Sequence, residues 1–218
     1  MTKKAPVFSF KYLLHDIFKW FMSWKCLLFW RIKKIYDTKE AKKKIRGGAV
    51  ITSNHVAFVD PFVIQGVILY RRFHFIAMDE LMKTKFSKWW YKHVFLTQGI
   101  SRTAPSFRTV SLAGKLVSDG NLVCLFPEGH IKTDEEKVTD EFKGGAILIA
   151  YKAKAPIIPI YHEKRKSIWN MTRMVIGKPI YPYEIIGPTL SQDKLKEVSI
   201  QLEEYTKYLE TLLPKKKQ

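Results

Sequence analysis

The sequence predicts an α/β fold: a single domain with a mixed, largely parallel sheet flanked by helices, preceded by an amphipathic helical segment. Short apolar, β-branched runs such as Ala49–Thr52, Leu122–Phe126 and Pro156–Tyr161 alternate with segments whose apolar residues recur at helical spacing, the pattern of strands linked through helices. A chain of 218 residues encloses one sizeable core, and no internal repeat or low-complexity stretch divides it. The composition changes near residue 46, where a stretch crowded with aromatic and basic side chains gives way to the alternation, so the expected units are 1–46 and 47–218.

From Phe8 to Tyr36 large side chains are dense, among them Phe10, Phe18, Trp20, Phe21, Trp24 and Trp30. A membrane-spanning helix needs about 20 mostly apolar residues, whereas Lys11, Asp16, Lys19, Lys25 and Arg31 interrupt this stretch. Lys11, His15, Lys19 and Ser23 repeat every fourth residue and share one helical face, leaving the aromatic residues on the other. Two readings fit. One is a helix lying in a membrane interface, with Trp and Tyr at headgroup depth and the lysines toward acidic phosphates; the other is a helix packed on the protein's own core. The apolar arc is wider than a single internal contact requires, which favours the membrane. Arg31, Lys33, Lys34, Lys39, Lys42, Lys43, Lys44 and Arg46 then crowd the link to the first strand against only Asp37 and Glu40. Directly after an interfacial helix such a run reads as a clamp on anionic lipid.

The remaining elements follow in order. After the strand at Ala49–Thr52 and a polar loop, Phe62–Leu69 has helical spacing. Phe73–Met78 is a strand, Glu80–Tyr91 a helix with Trp89 and Trp90 as core or lipid-facing bulk, and Phe95–Ile100 extended. Ser106–Ser118 is a helix between turn residues Pro105 and Gly120. The strand Leu122–Phe126, a charged loop Lys132–Glu141, a helix Gly145–Lys152 and strands Pro156–Tyr161 and Met174–Ile180 continue the alternation. Ser191–Leu213 closes the chain as an amphipathic helix before a lysine tail.

The formal charge of +18 implies an anionic partner, nucleic acid or an acidic membrane surface. A nucleic-acid binder would interleave aromatic with basic residues across a sheet, whereas here the aromatics cluster with aliphatics in one segment. Cys26 and Cys124 both sit in apolar runs, so neither a disulfide framework nor a zinc site is suggested, and a reducing, cytosolic setting fits. Lys3 and Lys4 resemble the start of a signal peptide, yet no uninterrupted apolar stretch or small-residue cleavage site follows, so the N-terminus is expected to be retained. A G-x-S-x-G elbow and a His-Glu-x-x-His pair are both missing, which argues against a serine hydrolase and a metallohydrolase, and no metal ligand is assigned.

The chemistry centres on Asn54-His55-Val56-Ala57-Phe58-Val59-Asp60. His55 ends a strand and Asp60 begins a helix, and the intervening loop of four residues allows the carboxylate to reach an imidazole nitrogen. A carboxylate so placed fixes the tautomer and leaves the other nitrogen to take a proton. Asp60 before Pro61 is equally a helix cap followed by proline in the first turn. A second block, Phe126-Pro127-Glu128-Gly129, ends another apolar strand. With Gly99-Ile100-Ser101-Arg102 and the proline-containing strand Ala155–Ile160, four blocks occur in the order found in glycerolipid acyltransferases, and the chain resembles that family from Gly47 to Pro182.

The resemblance implies transfer of a fatty acyl group from a thioester carrier to the hydroxyl of a lysophospholipid, with His55 as general base and Asp60 as its orienter. It implies an acceptor phosphate held by the guanidinium of Arg102, and an acceptor pocket shaped by Glu128, Gly129 and His130. Lys83 and Lys85, between the first two blocks, are either further phosphate contacts or ordinary surface lysines; Glu128 has the rival reading of a turn carboxylate. No permanently bound cofactor is implied, since acyl-coenzyme A or acyl-acyl carrier protein is a substrate. Segment 1–46 then serves membrane association, 47–218 is the catalytic domain, and the setting is the cytoplasmic face of the membrane. One departure concerns the acceptor. The family usually has threonine after Pro-Glu-Gly, often followed by arginine, where this chain has His130-Ile131-Lys132. Another lyso-lipid acceptor, or a basic membrane-binding protein without activity, is the alternative; the latter leaves the four blocks unexplained.

Overall fold

The computed structural model describes residues 10–25, 28, 31–100, 107–127, 140–164 and 171–214. Its strands are β1 (Lys33–Tyr36), β2 (Ala49–Ser53), β3 (Phe73–Met78), β4 (Gln98–Ile100), β5 (Leu122–Leu125), β6 (Ile157–His162) and β7 (Arg173–Ile176). The helices are α1 (Leu13–Lys25), α2 (Asp60–Val67), α3 (Lys85–His93), α4 (Phe107–Ser118), α5 (Asp140–Ala153), α6 (Pro182–Ile186) and α7 (Gln192–Thr211). The strands form one seven-stranded sheet in the order β1-β7-β6-β2-β5-β3-β4. Every neighbouring pair is parallel except β6 with β7. The mixed, largely parallel sheet expected from the sequence is therefore present.

Its two faces are covered by different layers. Val50, Val123, Leu125 and Ile157 point to one side and pack with α4, α5 and α7 through Ala113, Val117, Ile147, Ala150, Val198 and Leu202. Ile51, Leu122, Cys124, Phe73, Ile158 and Ile160 point to the other and meet Val63, Ile64 and Val67 of α2. Burial on both faces explains why β2 and β5 read as unbroken apolar runs, and every residue of both strands is buried. Burial also pushes the Cys124 thiol far above its usual range, consistent with an inert core residue.

Helix α1 packs against α2, but its orientation corrects the expected one. The polar stripe faces the protein: His15 and Lys19 are buried, His15 Nδ1 lies 2.6 Å from the Val94 carbonyl, and Arg72 donates to Asp16 at 2.6 and 2.9 Å. Lys19 therefore points at Asp16, 3.5 Å away, and not at lipid phosphates. Phe18 is gathered inward, into an aromatic cluster with Phe62, Trp90 and Phe95. Ile17, Trp20 and Trp24 are about 60% exposed or more (60%, 65% and 61%) and form the outer face. No helix among the described residues is long and apolar enough to cross a membrane.

Other differences have local causes. The expected helix Glu80–Tyr91 is a short 3₁₀ turn, Asp79–Met82, followed by α3. Thr84 and Ser87 form a reciprocal capping box that restarts the chain as a new helix. Helix α5 begins at Asp140, earlier than Gly145. Strand β7 stops at Ile176, because Gly177 carries the chain past Pro159, Tyr205 and Leu209 before a single bridge at Ile180. Residues 33–36, within the basic segment, join the sheet as an edge strand on β7, and lysines at such an edge discourage pairing with other chains.

Gly48 sits where β2 meets the end of α4. A Cβ there would lie 1.8 Å from the backbone oxygen of Val117, so one backbone would have to move. We expect Gly48→Ala to lower stability by about 3 kcal/mol or more, at the upper end of overpacking costs; a urea midpoint unchanged from that of the parent would contradict this packing.

Candidate active site

The site forms where β2 ends. Asn54, the residue after β2, is buried and makes a two-point clamp to the end of β6: its Nδ2 donates to the His162 carbonyl at 2.8 Å, and the His162 backbone N–H donates to its Oδ1 at 2.9 Å. This side chain extends the β2–β6 ladder by one rung, and it fixes the point from which the chain turns into the His55 loop. Asp60 N–H bonds the Ala57 carbonyl at 3.1 Å, closing the turn, and α2 starts with Pro61 in its first turn.

The Asp60 carboxylate folds back over this loop. Its Oδ2 accepts from His55 Nδ1 at 2.8 Å, Val56 N–H at 2.7 Å and Ala57 N–H at 2.8 Å. The helix-cap reading of Asp60 is therefore superseded: Val59 holds the cap position without a side-chain hydrogen bond, while Asp60 is the first helical residue. A carboxylate with 2% exposure needs such donors, since a buried charge without them is costly. The His55 ring is half sandwiched, stacked on Phe126 at 4.3 Å between centroids with an interplanar angle of 23°. Thus the residue that follows β5 supplies a wall for the ring carried by the loop after β2.

His162 lies on the far side of Asp60, its Nε2 3.6 Å from Oδ1. Burial is the largest influence on this imidazole and pushes it below its ordinary range, against the pull of the Asp60 carboxylate. Sequence reasoning passed over His162 because nothing local distinguishes it; only the β2–β6 pairing brings it behind Asp60.

Of the predicted site residues, His55 and Asp60 come together directly. Lys83 and Lys85 are exposed, in the turn before α3 and at its first residue, on the segment that leaves the carboxyl end of β3. That end lies at the same pole of the sheet as His55, because β2, β3 and β5 run parallel. Arg102, Glu128, Gly129 and His130 lie outside the described residues. Among the described residues no three His, Cys, Asp or Glu side chains converge as metal ligands would.

Residues 34–163, more than half the chain, match the family profile described as Acyltransferase. The chain belongs to the acyltransferase family. The matched region runs from β1 through β6 and includes His55, Asp60 and His162. Similar proteins include the 1-acyl-sn-glycerol-3-phosphate acyltransferase of Bacillus subtilis (strain 168), 27% identical over 171 residues that cover 76% of this chain and 83% of the relative. A probable 1-acyl-sn-glycerol-3-phosphate acyltransferase of Mycoplasma pneumoniae is 27% identical over 122 residues, 51% of this chain and 42% of that protein. Among solved structures, the 1-acyl-sn-glycerophosphate (LPA) acyltransferase PlsC from Thermotoga maritima shares the fold, with a TM-score of 0.62, 20% identity, and coverage of 94% of this chain and 82% of that one.

The buried histidines of this acyltransferase give its stability a pH dependence. His162 and His15 are both depressed, chiefly by burial, from an ordinary value of about 6.5. The unfolded chain therefore binds more protons than the folded one just below that value. The stabilisation is fully present above pH ~6.5 and is lost as pH falls through the folded-state values. Urea unfolding between pH 7.5 and 5 should show a free energy that declines on acidification, and His162→Gln or His15→Gln should each make the decline shallower.

Proposed function

We propose that this protein is a peripheral membrane acyltransferase that moves a fatty acyl group from an acyl thioester to the free hydroxyl of a lysophospholipid, 1-acylglycerol-3-phosphate, giving phosphatidic acid. The observation that carries this reading is the 2.8 Å bond from His55 Nδ1 to Asp60 Oδ2 at the carboxyl end of a central parallel strand, the pole at which open α/β sheets bind ligands. With Nδ1 committed to the carboxylate, Nε2 is the nitrogen that takes the acceptor's hydroxyl proton. The resulting oxygen attacks the thioester carbonyl, the tetrahedral adduct expels the thiolate, and His55 returns the proton to sulfur. One ester forms, one thioester breaks, and no covalent acyl-enzyme is required.

Arg102 is assigned to the acceptor phosphate, which a planar fork can hold bidentately while the glycerol hydroxyl stays near His55. Glu128, Gly129 and His130 are assigned to the acceptor pocket, with Lys83 and Lys85 as further cations at that pole. No permanently bound cofactor takes part; acyl-coenzyme A or acyl-acyl carrier protein is the donor. The outward apolar face of α1 and the basic stretch that follows support attachment, peripheral or monotopic, to the anionic cytoplasmic face of a membrane. His130, standing where the family usually has threonine, favours a second reading in which the acceptor is a different lyso-lipid.

Thiol release from a long-chain acyl-coenzyme A or acyl-acyl carrier protein, with a panel of lyso-lipids as acceptors, tests the chemistry. His55→Ala should lower the rate by ~10²- to 10⁴-fold with the fold intact, the range for a general base; a fully active variant would remove the assignment. Acceptors lacking a phosphomonoester that serve as well as 1-acylglycerol-3-phosphate would favour the second reading. For the membrane, Ile17→Glu with Trp20→Glu should release the protein from sedimenting vesicles rich in acidic phospholipid while leaving its circular dichroism unchanged. Undiminished pelleting, or tighter binding to duplex DNA at physiological salt, would count against α1 as the contact.

A further inference from the structure

The carboxylate behind His55 has two oxygens, and only one is used by the pair described above. Oδ2 accepts all three short hydrogen bonds, from His55, Val56 and Ala57. Oδ1 faces His162, whose Nε2 is 3.6 Å away, buried, and without a hydrogen-bond partner among the described protein atoms. Both side chains are 2% exposed. A buried polar nitrogen left in this way calls for an explanation, and catalytic hydrogen bonds are often long before substrate binds. The ring is held at its backbone by both arms of Asn54, at 2.8 and 2.9 Å, so its place beside Asp60 is built rather than incidental.

We propose that His162 is a positioning residue for acyl transfer: its Nε2–H holds Asp60 Oδ1, so that the carboxylate is fixed between two imidazoles and Oδ2 stays trained on His55. The inference rests on the reading of His55 as the base. Two side chains at the end of β6 and the start of α2 are thereby tied together through one carboxylate: the Val56 and Ala57 N–H groups anchor Oδ2, and a donor on Oδ1 fixes the plane of the carboxylate in which Oδ2 meets Nδ1. His162 does not itself touch substrate, because it lies buried behind Asp60 while the His55 side chain retains 18% exposure. The titratable groups facing the His162 ring are Asp60 from α2 and His55 from the preceding loop, together with backbone groups of Asn54 and Glu163. Burial favours the neutral ring, which carries one N–H, and the proposal places that proton on Nε2, toward Asp60.

The test uses the full chain with palmitoyl-coenzyme A or palmitoyl-acyl carrier protein as donor, whichever the parent accepts, and 1-oleoylglycerol-3-phosphate as acceptor, assayed across pH. His162→Leu is expected to lower kcat tenfold or more with the acceptor KM changed less than about twofold. It should also move the acid limb of the kcat profile to higher pH, because Asp60 without a donor on Oδ1 holds the imidazolium form of His55 more strongly. His162→Gln, whose amide nitrogen reaches the Nε2 position, should restore both kcat and the limb, whereas the shorter His162→Asn should not. A folded His162→Leu with the parental kcat and pH profile overturns the proposal. Should that variant fail to fold, equal kcat in His162→Gln and His162→Asn overturns it instead, since both keep an amide in the buried site. If His55→Ala retains activity, the base assignment has failed; if His55→Ala is inactive while His162→Leu matches the parent, only the positioning role has failed.

Discussion

Strand β2 is the fixed reference of this molecule. It is hydrogen-bonded along both edges, to β5 and β6, and buried on both faces, so neither its register nor its direction can slip without exposing an apolar row to water. Parallel pairing then sends the carboxyl ends of β2, β3, β4 and β5 to one pole. The loops that leave those ends carry His55, Phe126 and the segments leading to Arg102 and Glu128. The pole of the candidate site is thus a consequence of strand direction, and the apolar core bears on it by holding that direction rigid.

Charge is handled in two contrasting ways. At the candidate active site a single buried carboxylate accepts hydrogen bonds from its own loop and from His55, with His162 Nε2 3.6 Å from its other oxygen. Such a group is stable only if its donors stay in place, which couples the loop conformation to the ring orientation. Beneath α1 the polar contact is an ion-paired network of Asp16, Lys19 and Arg72, with His15 on the Val94 carbonyl. There, polar residues dock a helix whose apolar residues look outward, the reverse of an ordinary surface helix. An outward row of Ile17, Trp20 and Trp24 is a liability in water, and the lipid interface proposed above would remove it.

Under the proposed function the two arrangements would serve one reaction cycle. An acyl thioester and a lysophospholipid acceptor would meet at His55, which calls for a surface that lies on the bilayer and a pole that presents the base. Helix α1 packs on α2, and α2 begins with Asp60. The element that would rest on lipid therefore bears on the helix that carries the orienting carboxylate, which ties the membrane-facing surface to the site by direct packing.

Local sequence was sufficient for whatever depends on short separations. The strands at Ala49, Phe73, Leu122 and Pro156 follow from unbroken apolar runs, and the His55–Asp60 bond follows from a loop too short to hold the two side chains far apart. The same local view left Asp60 with two roles, orienter or cap, because a proline in the first helical turn is compatible with either; three donors behind the carboxylate decide for the first. It read the stripe of His15 and Lys19 as facing lipid, because periodicity defines two faces of a helix without saying which one the protein occupies; Asp16 meeting Arg72, 56 residues away, decides that. β1 escaped notice since its lysines resemble any charged linker until β7 is there to pair with them. His162 is the extreme case: 107 residues after His55 in the chain, it reaches Asp60 only because β6 lies beside β2, and a contact set by strand order across a sheet leaves no trace in the spacing of residues along the chain.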